Sequence, residues 1–238
     1  MTVSSALRAE RSRMYDELLA EHTIMRRGAA LVAVSFANLA DGQPVDVRTL
    51  VSTSRWLIEY VRSHHGSEDE QFWPALGDVF PAAVAELDRM VVEHQALDAE
   101  LHTLARAVDA IDAREITGGR AEVLVVVSEA AMSGLPSAQR VREILTRHFD
   151  EEEPILLELF PQLPDADLAR VRNGIFHGDF RVSPHLVLGL MEDPVRIPGY
   201  TDVLSAFPAS VRWLRPVLLA RYRSTKKALA VTTFLDRV

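Results

Sequence analysis

The chain has 238 residues, of which 48% are hydrophobic and 25% charged, so it contains enough apolar sequence to bury a sizeable core. Its formal net charge of −8 argues against a nucleic-acid binder. The absence of cysteine excludes disulfides, cysteine nucleophiles and thiolate zinc sites, which leaves His, Asp and Glu as candidate metal ligands. The N-terminal residues lack a signal-peptide core, and no apolar run approaches the roughly 18 residues of a membrane span. We therefore expect a cytoplasmic protein with no membrane partner.

Helical periodicity, with apolar residues three and four positions apart, marks the first two-thirds of the chain. The predicted long helices cover residues 5–39, 47–76, 81–111 and 137–160. Turn-forming residues separate the first two helices, and a glycine pair follows the third. Four long segments with short connections predict an all-α fold, an up-down-up-down four-helix bundle that we assign to residues 1–164.

Two parts of the chain are harder to interpret. Residues 123–131 are rich in Val and Leu and also suit a strand, but their helical neighbours favour a helix that is kinked or ended near residues 134–136, where Gly and Pro occur. Residues 165–238 are interrupted by prolines, and we expect a smaller helical extension packed on the bundle. Its last helix, residues 207–229, carries basic and no acidic side chains, which we interpret as a solvated face; a surface for an anionic partner is the alternative.

The most informative feature is a His-x-x-x-Glu pair that occurs on two different predicted helices. His64 precedes Glu68 on the second helix, and His148 precedes Glu152 on the fourth. A spacing of four places both side chains on one helix face, about 40° apart in azimuth and roughly 6 Å apart along the axis. An imidazole and a carboxylate held in this way can bind one metal ion.

Single histidines lie on the two helices between these pairs. His22 and His94 stand on the apolar stripes of the first and third helices, as the paired residues do on theirs. Burying several imidazoles and two carboxylates without compensation would cost several kcal/mol at least. A bound metal is the simplest compensation, and a buried His–Glu hydrogen-bond network is the alternative.

Two further residues are possible additional ligands. His65 lies 100° around the helix from His64, so we expect it at the edge of the bundle, with a ligand or outer donor role as the alternative. Asp98 follows His94 by four residues, the same spacing as in the two pairs. The acidic run at residues 150–153 also leaves Glu153 as an alternative to Glu152.

These residues together resemble the hemerythrin-like HHE cation-binding domains. The resemblance rests on the order His22, His64-x-x-x-Glu68, His94 and His148-x-x-x-Glu152, and it covers roughly residues 5–163. It implies non-haem iron, usually two ions, bridged by the two carboxylates and an oxygen species. Imidazole and carboxylate ligands also suit iron on chemical grounds. The extension is similar to that of some actinobacterial members.

By this resemblance the small ligand is O2, peroxide or NO, in redox and stress chemistry or in sensing. A di-iron oxidase or oxygenase acting on a small organic substrate is the alternative, and the sequence does not decide whether the protein is an enzyme. O2-carrying hemerythrins have two histidines four apart on the third helix, whereas this chain has only His94, with Met90 one turn before it. We therefore expect Asp98 or water at the vacant position.

Overall fold

The computed structural model describes residues 3–115, 120–174 and 182–231, and within these ranges the regular structure is entirely helical. The α-helices are α1 (Val3–Ala40), α2 (Val47–Ser67), α3 (Trp73–Val79), α4 (Val84–Glu115), α5 (Arg120–Leu159), α6 (Leu168–Gly174), α7 (Pro184–Glu192), α8 (Tyr200–Ala206), α9 (Ala209–Trp213) and α10 (Arg215–Ala228). A π-helix covers Glu68–Phe72, and short 3-10 turns cover Pro81–Ala83 and Phe160–Gln162.

Four long helical rods form the bundle. The first, third and fourth rods are α1, α4 and α5, and the second consists of α2, the π-helix and α3. α1 packs against α2 and α5, and α4 packs against the same two helices. The predicted all-α bundle is therefore confirmed. No helix within the described ranges is long and apolar enough to span a membrane.

The second rod passes a proline by means of the π-helix between α2 and α3. Pro74 has no N–H to donate to the carbonyl four residues before it. The N–H of Trp73 instead donates to the carbonyl of Glu68, five residues back, which is the π-helical pattern. The rod thus continues to Val79, and Glu68 stands at the start of the widened turn.

Of the two expectations for residues 134–136, a kinked helix or a helix end, the helix end is wrong, because α5 runs unbroken from Arg120 to Leu159 with Pro136 inside it. The residues that resemble a strand, 123–131, are helical. Tertiary packing explains Gly134: a Cβ there would lie 2.7 Å from the Phe36 ring of α1 and 2.8 Å from the Ala107 Cβ of α4. The glycine serves close helix packing and is not a breaker.

The bundle interior consists of two apolar clusters with a polar layer between them. The larger cluster includes Met25, Val61, Leu97, Leu145 and Phe149, and the smaller one includes Leu18, Phe72, Met90, Leu156 and Phe160. Each rod contributes to both clusters. The residues in between on the four rods are the histidines and glutamates of the candidate metal site.

Described residues of the extension share the larger apolar cluster of the bundle, among them Leu186, Phe207, Tyr222 and Leu229. Arg27 of α1 donates a hydrogen bond of 2.6 Å to the carbonyl of Leu190 in α7. The single helix predicted over residues 207–229 is divided at Leu214, two residues before Pro216, into α9 and α10. In α10, Val217 is exposed while Tyr222 is buried.

Candidate metal centre

The structure brings the six principal candidates together in the polar layer. His22 comes from α1, His64 from α2, Glu68 from the π-helix, His94 from α4, and His148 and Glu152 from α5. The exposed fraction of each is 5% or less, and that of Glu152 is 0%. Six titratable side chains therefore share one site that is almost completely buried.

Each carboxylate lies between histidines of two different helices. For Glu68, Oε1 lies 3.1 Å from His64 Nε2 and Oε2 lies 3.6 Å from His94 Nε2. For Glu152, Oε1 lies 3.7 Å from His22 Nε2 and Oε2 lies 3.1 Å from His148 Nε2. Each carboxylate thus has one oxygen near His22 or His64 and the other oxygen near His94 or His148.

The ligand atoms fall into two groups that share one residue. His22, His64 and Glu68 have ligand atoms within 4.8 Å of one another, and so do His65, Glu68, His94 and His148. Two neighbouring cations held in this way would have Glu68 in common.

His65 belongs to this layer, so the expectation that it lies at the edge of the bundle is wrong. It is 6% exposed, and its ring centroid lies 4.2 Å from that of His94 and 5.2 Å from that of His148. Its Nε2 atom is buried and makes no hydrogen bond. The second rod therefore places a further imidazole next to those of His94 and His148.

Asp98 does not join the cluster, and the expectation that it fills the vacant position is wrong. Its side chain is 64% exposed, and its Oδ1 lies 3.1 Å from Nε of Arg62 on α2. Met90 is fully buried in the smaller apolar cluster.

Three further carboxylates orient three of the histidines from outside. The Nδ1 atom of His22 donates to Glu153 at 3.1 Å, that of His94 to Asp69 at 2.8 Å, and that of His148 to Glu93 at 3.1 Å. When Nδ1 carries the proton, the lone pair of Nε2 faces the inside of the site, where it can bind a metal ion. No sequence pattern indicated that Asp69 and Glu93 orient histidine rings, although each is adjacent in sequence to a residue of the centre.

Several contacts in the polar layer are unfavourable unless a cation lies between the facing groups. The Nε2 atoms of His94 and His148 face each other at 3.0 Å although both rings use Nδ1 as a donor. The four carboxylate oxygens of Glu68 and Glu152 are buried and make no hydrogen bond. Buried acceptors that face one another are costly unless a proton or a metal ion lies between them.

The ionisation of the two glutamates reflects this crowding. Burial and the charge of Glu152 raise the pKa of Glu68 to about 8. Burial also opposes the ionisation of Glu152, but the neighbouring His22 and His148 outweigh it and lower the pKa of Glu152 to about 2. One carboxylate thus ionises readily, whereas the second requires additional positive charge.

The histidines also fall into two groups, one with a lowered pKa and one with a raised pKa. Burial lowers the pKa of His64 to about 4. For His148, burial is outweighed by the negative charges of Glu152 and Glu68 and by the hydrogen bond to Glu93, and the pKa rises to about 9. The protons on His148 and Glu68 occupy positions that a cation would take, so metal binding releases protons here. The nitrogen and oxygen donors fit the metal that the resemblance implies.

Comparison with known protein families shows to which family the chain belongs. The family described as the hemerythrin HHE cation-binding domain matches residues 13–163, which include every residue of the centre. The chain belongs to this family. Among curated proteins and among solved structures, none matches the chain. The HHE domain thus contains a His/Glu cluster that could hold metal cations, and the helices after residue 163 lie outside the family match.

Proposed function

We propose that this HHE domain holds two non-haem iron ions and that the centre binds and reacts with O2, peroxide or NO in redox or stress chemistry or in sensing. The observation that carries the proposal is the arrangement of Glu68 and Glu152. Each has one oxygen towards the His22 and His64 side and the other towards the His94 and His148 side. Carboxylates in that position suit a bridge between two ions.

The ligand set supports iron in particular. Five imidazoles and two carboxylates, with no thiolate, are intermediate donors that suit Fe(II) and Fe(III). The group of His65, His94 and His148 offers three imidazoles, whereas the group of His22 and His64 offers two. Both groups would thus hold an ion through imidazole nitrogens and a carboxylate.

When bound, the iron supplies one-electron redox chemistry and open coordination positions for a small ligand. The protein contributes the surroundings. The outer carboxylates Asp69, Glu93 and Glu153 hold protons at histidine Nδ1 and so fix the ring orientation. The apolar clusters above and below the layer exclude water along the bundle axis.

The alternative, an oxidase or oxygenase acting on a small organic substrate, uses the same centre and differs in turnover. Stopped-flow spectra of the anaerobically reconstituted, reduced protein mixed with O2, hydrogen peroxide or NO distinguish the two. A reversible adduct supports binding or sensing, and consumption of peroxide supports an enzyme that disposes of it. Repeated O2 consumption only in the presence of an organic co-substrate would favour the alternative.

A further inference from the structure

A cavity of about 350 Å³ lies between α2 and α4 and reaches the centre from the side. Its lining includes Arg62, His65, Gly66, Asp69, His94 and Gln95. The exposure of the buried histidines identifies the same side: His65 and His94 are 6% and 5% exposed, whereas His22, His64 and His148 are at most 1% exposed. In the described part of the chain, the centre meets solvent at this cavity.

The side of the centre between α1 and α5 is closed. Phe149 is fully buried and stacks on the ring of His22, with centroids 4.0 Å apart. The guanidinium of Arg26 lies 5.1 Å from the Phe149 centroid and forms ion pairs with Asp150 at 2.7 Å and with Glu153 at 2.5 Å. A ligand approaching here would have to separate these ion pairs and displace Phe149.

Gly66 has no structural reason to be glycine. It lies inside α2, and its φ is not in the left-handed region that favours glycine. A Cβ built on it meets no heavy atom of the described residues within 4 Å, so no close packing among them requires its small size either. Glycine destabilises a helix interior relative to alanine. Because glycine has no side chain, position 66 leaves open space in the wall of the cavity, next to His65.

We propose that the cavity between α2 and α4 is the entrance through which small ligands reach the metal centre, and that Gly66 keeps it open. This inference rests on the proposed function. The ion pair of Arg62 with Asp98 lies on the lining of the same cavity, which gives Asp98 a place at the entrance rather than at the metal. The lining combines Arg62 and the carboxylates of Asp69 and Asp98 with apolar Leu97 and Leu101, so it admits a small neutral ligand as readily as a small anion.

The test is to narrow the entrance after the protein has folded and taken up iron. The chain has no cysteine, so Gly66→Cys introduces a single thiol that can be capped selectively. One sample receives a methylthio cap and a second receives a benzylthio cap. The probe is azide, a small anion that binds ferric iron, and its association and dissociation rates are measured by stopped-flow absorbance. Iron content is measured before and after capping.

An entrance controls rates without changing the equilibrium. The benzylthio cap should slow azide association and dissociation alike, by about tenfold or more, and leave the azide Kd within about twofold of the methylthio sample. Glu59→Cys, capped in the same two ways, is the matched control. Glu59 is exposed on the same helix, seven residues and roughly 10 Å before Gly66, and is not part of the cavity lining. Its two caps should give equal rates.

The possible failures are distinguishable. Equal rates for both caps at position 66, in a protein with full iron content, would overturn the entrance and leave the proposed function standing. A changed Kd with unchanged association would overturn it too, because the cap would then act on bound azide. A chain that takes up no iron would overturn the proposed function and the entrance together.

Discussion

At the scale of single residues, Glu68 and Glu152 determine what the polar layer can bind. Both are buried, and their oxygens are arranged so that each carboxylate faces two histidines from different helices. Replacing one carboxylate by its amide keeps the volume but removes the charge and one of the two acceptor oxygens.

For Glu68→Gln we expect the iron content to fall from about two ions per chain to one or fewer, because both candidate groups share this carboxylate. The measurement is metal analysis after anaerobic reconstitution and desalting. Glu70→Gln is the control, since Glu70 is exposed on the same π-helix. Unchanged iron content in Glu68→Gln would contradict its role as a bridge.

Asp69 and Asp98 provide a matched pair of aspartates near His94. Asp69→Asn replaces the charged acceptor of the His94 Nδ1 proton by a neutral amide, so iron affinity should fall by about 10- to 100-fold. Asp98→Asn changes only an exposed pair with Arg62, so the affinity should stay at the wild-type value. Competition with a chelator of known affinity measures both. Equal losses in the two variants would show that Asp69 acts through general surface charge.

The spacing of the sequence predicts the six principal residues, but it does not assign His65 and Asp98 correctly. Four rods converge on the layer, so the inward sector of α2 is wide enough to include His65, 100° from His64. Asp98 shares a helix face with His94, yet one further turn along α4 brings it to Arg62 of the neighbouring helix. Periodicity along one helix does not specify what the neighbouring helix places opposite it.

At the scale of helices, Gly66 and Gly134 occupy helix interiors for opposite reasons. A Cβ at Gly66 meets nothing within 4 Å, whereas one at Gly134 would clash with Phe36 and Ala107. The same substitution should therefore have opposite signs at the two positions.

Gly66→Ala should increase the free energy of unfolding by about 0.5–1 kcal/mol, because alanine loses less backbone entropy on folding than glycine. Gly134→Ala should decrease it by about 1–3 kcal/mol through overpacking between α1, α4 and α5. Denaturant unfolding of both variants beside the wild type measures the two values. A stabilised Gly134→Ala protein would contradict the close approach of these helices.

Gly134 also shows why the helix end near residues 134–136 could not be assigned from the sequence. A glycine and a proline two residues apart, as at Gly134 and Pro136, are both local break signals. In α5 the glycine admits a Phe36 ring, and contacts with two other helices outweigh the local preference. The bundle as a whole could be predicted because its apolar periodicity is long, but the signals for helix ends are short.

At the scale of the whole molecule, the extension is joined to the bundle through a shared core that also contains a buried histidine. His185 lies in α7, which packs against α1 and α10 and is 8% exposed at this residue. Burial and the charge of Arg221 on α10 lower the pKa of His185 to about 4.

This pKa predicts the direction of a pH effect on stability. Between pH 6.5 and 4 the unfolded chain binds a proton at position 185 and the folded chain does not, so the free energy of unfolding falls as the pH falls through this window. His185→Gln should show a smaller loss of stability than the wild type between pH 7.5 and pH 5, in denaturant unfolding at each pH. His102→Gln, at an exposed position, is the control and should follow the wild type. Equal losses in His185→Gln and the wild type would show that His185 is not protected from protonation.

The central claim, that one layer of the bundle holds two iron ions through shared carboxylates, is tested most directly by anaerobic titration of the metal-free protein with Fe(II). The account predicts saturation at about two ions per chain, with the two ions magnetically coupled after oxidation, because Glu68 and Glu152 each face both groups of histidines. Saturation at a single ion, or no uptake of iron, would contradict it.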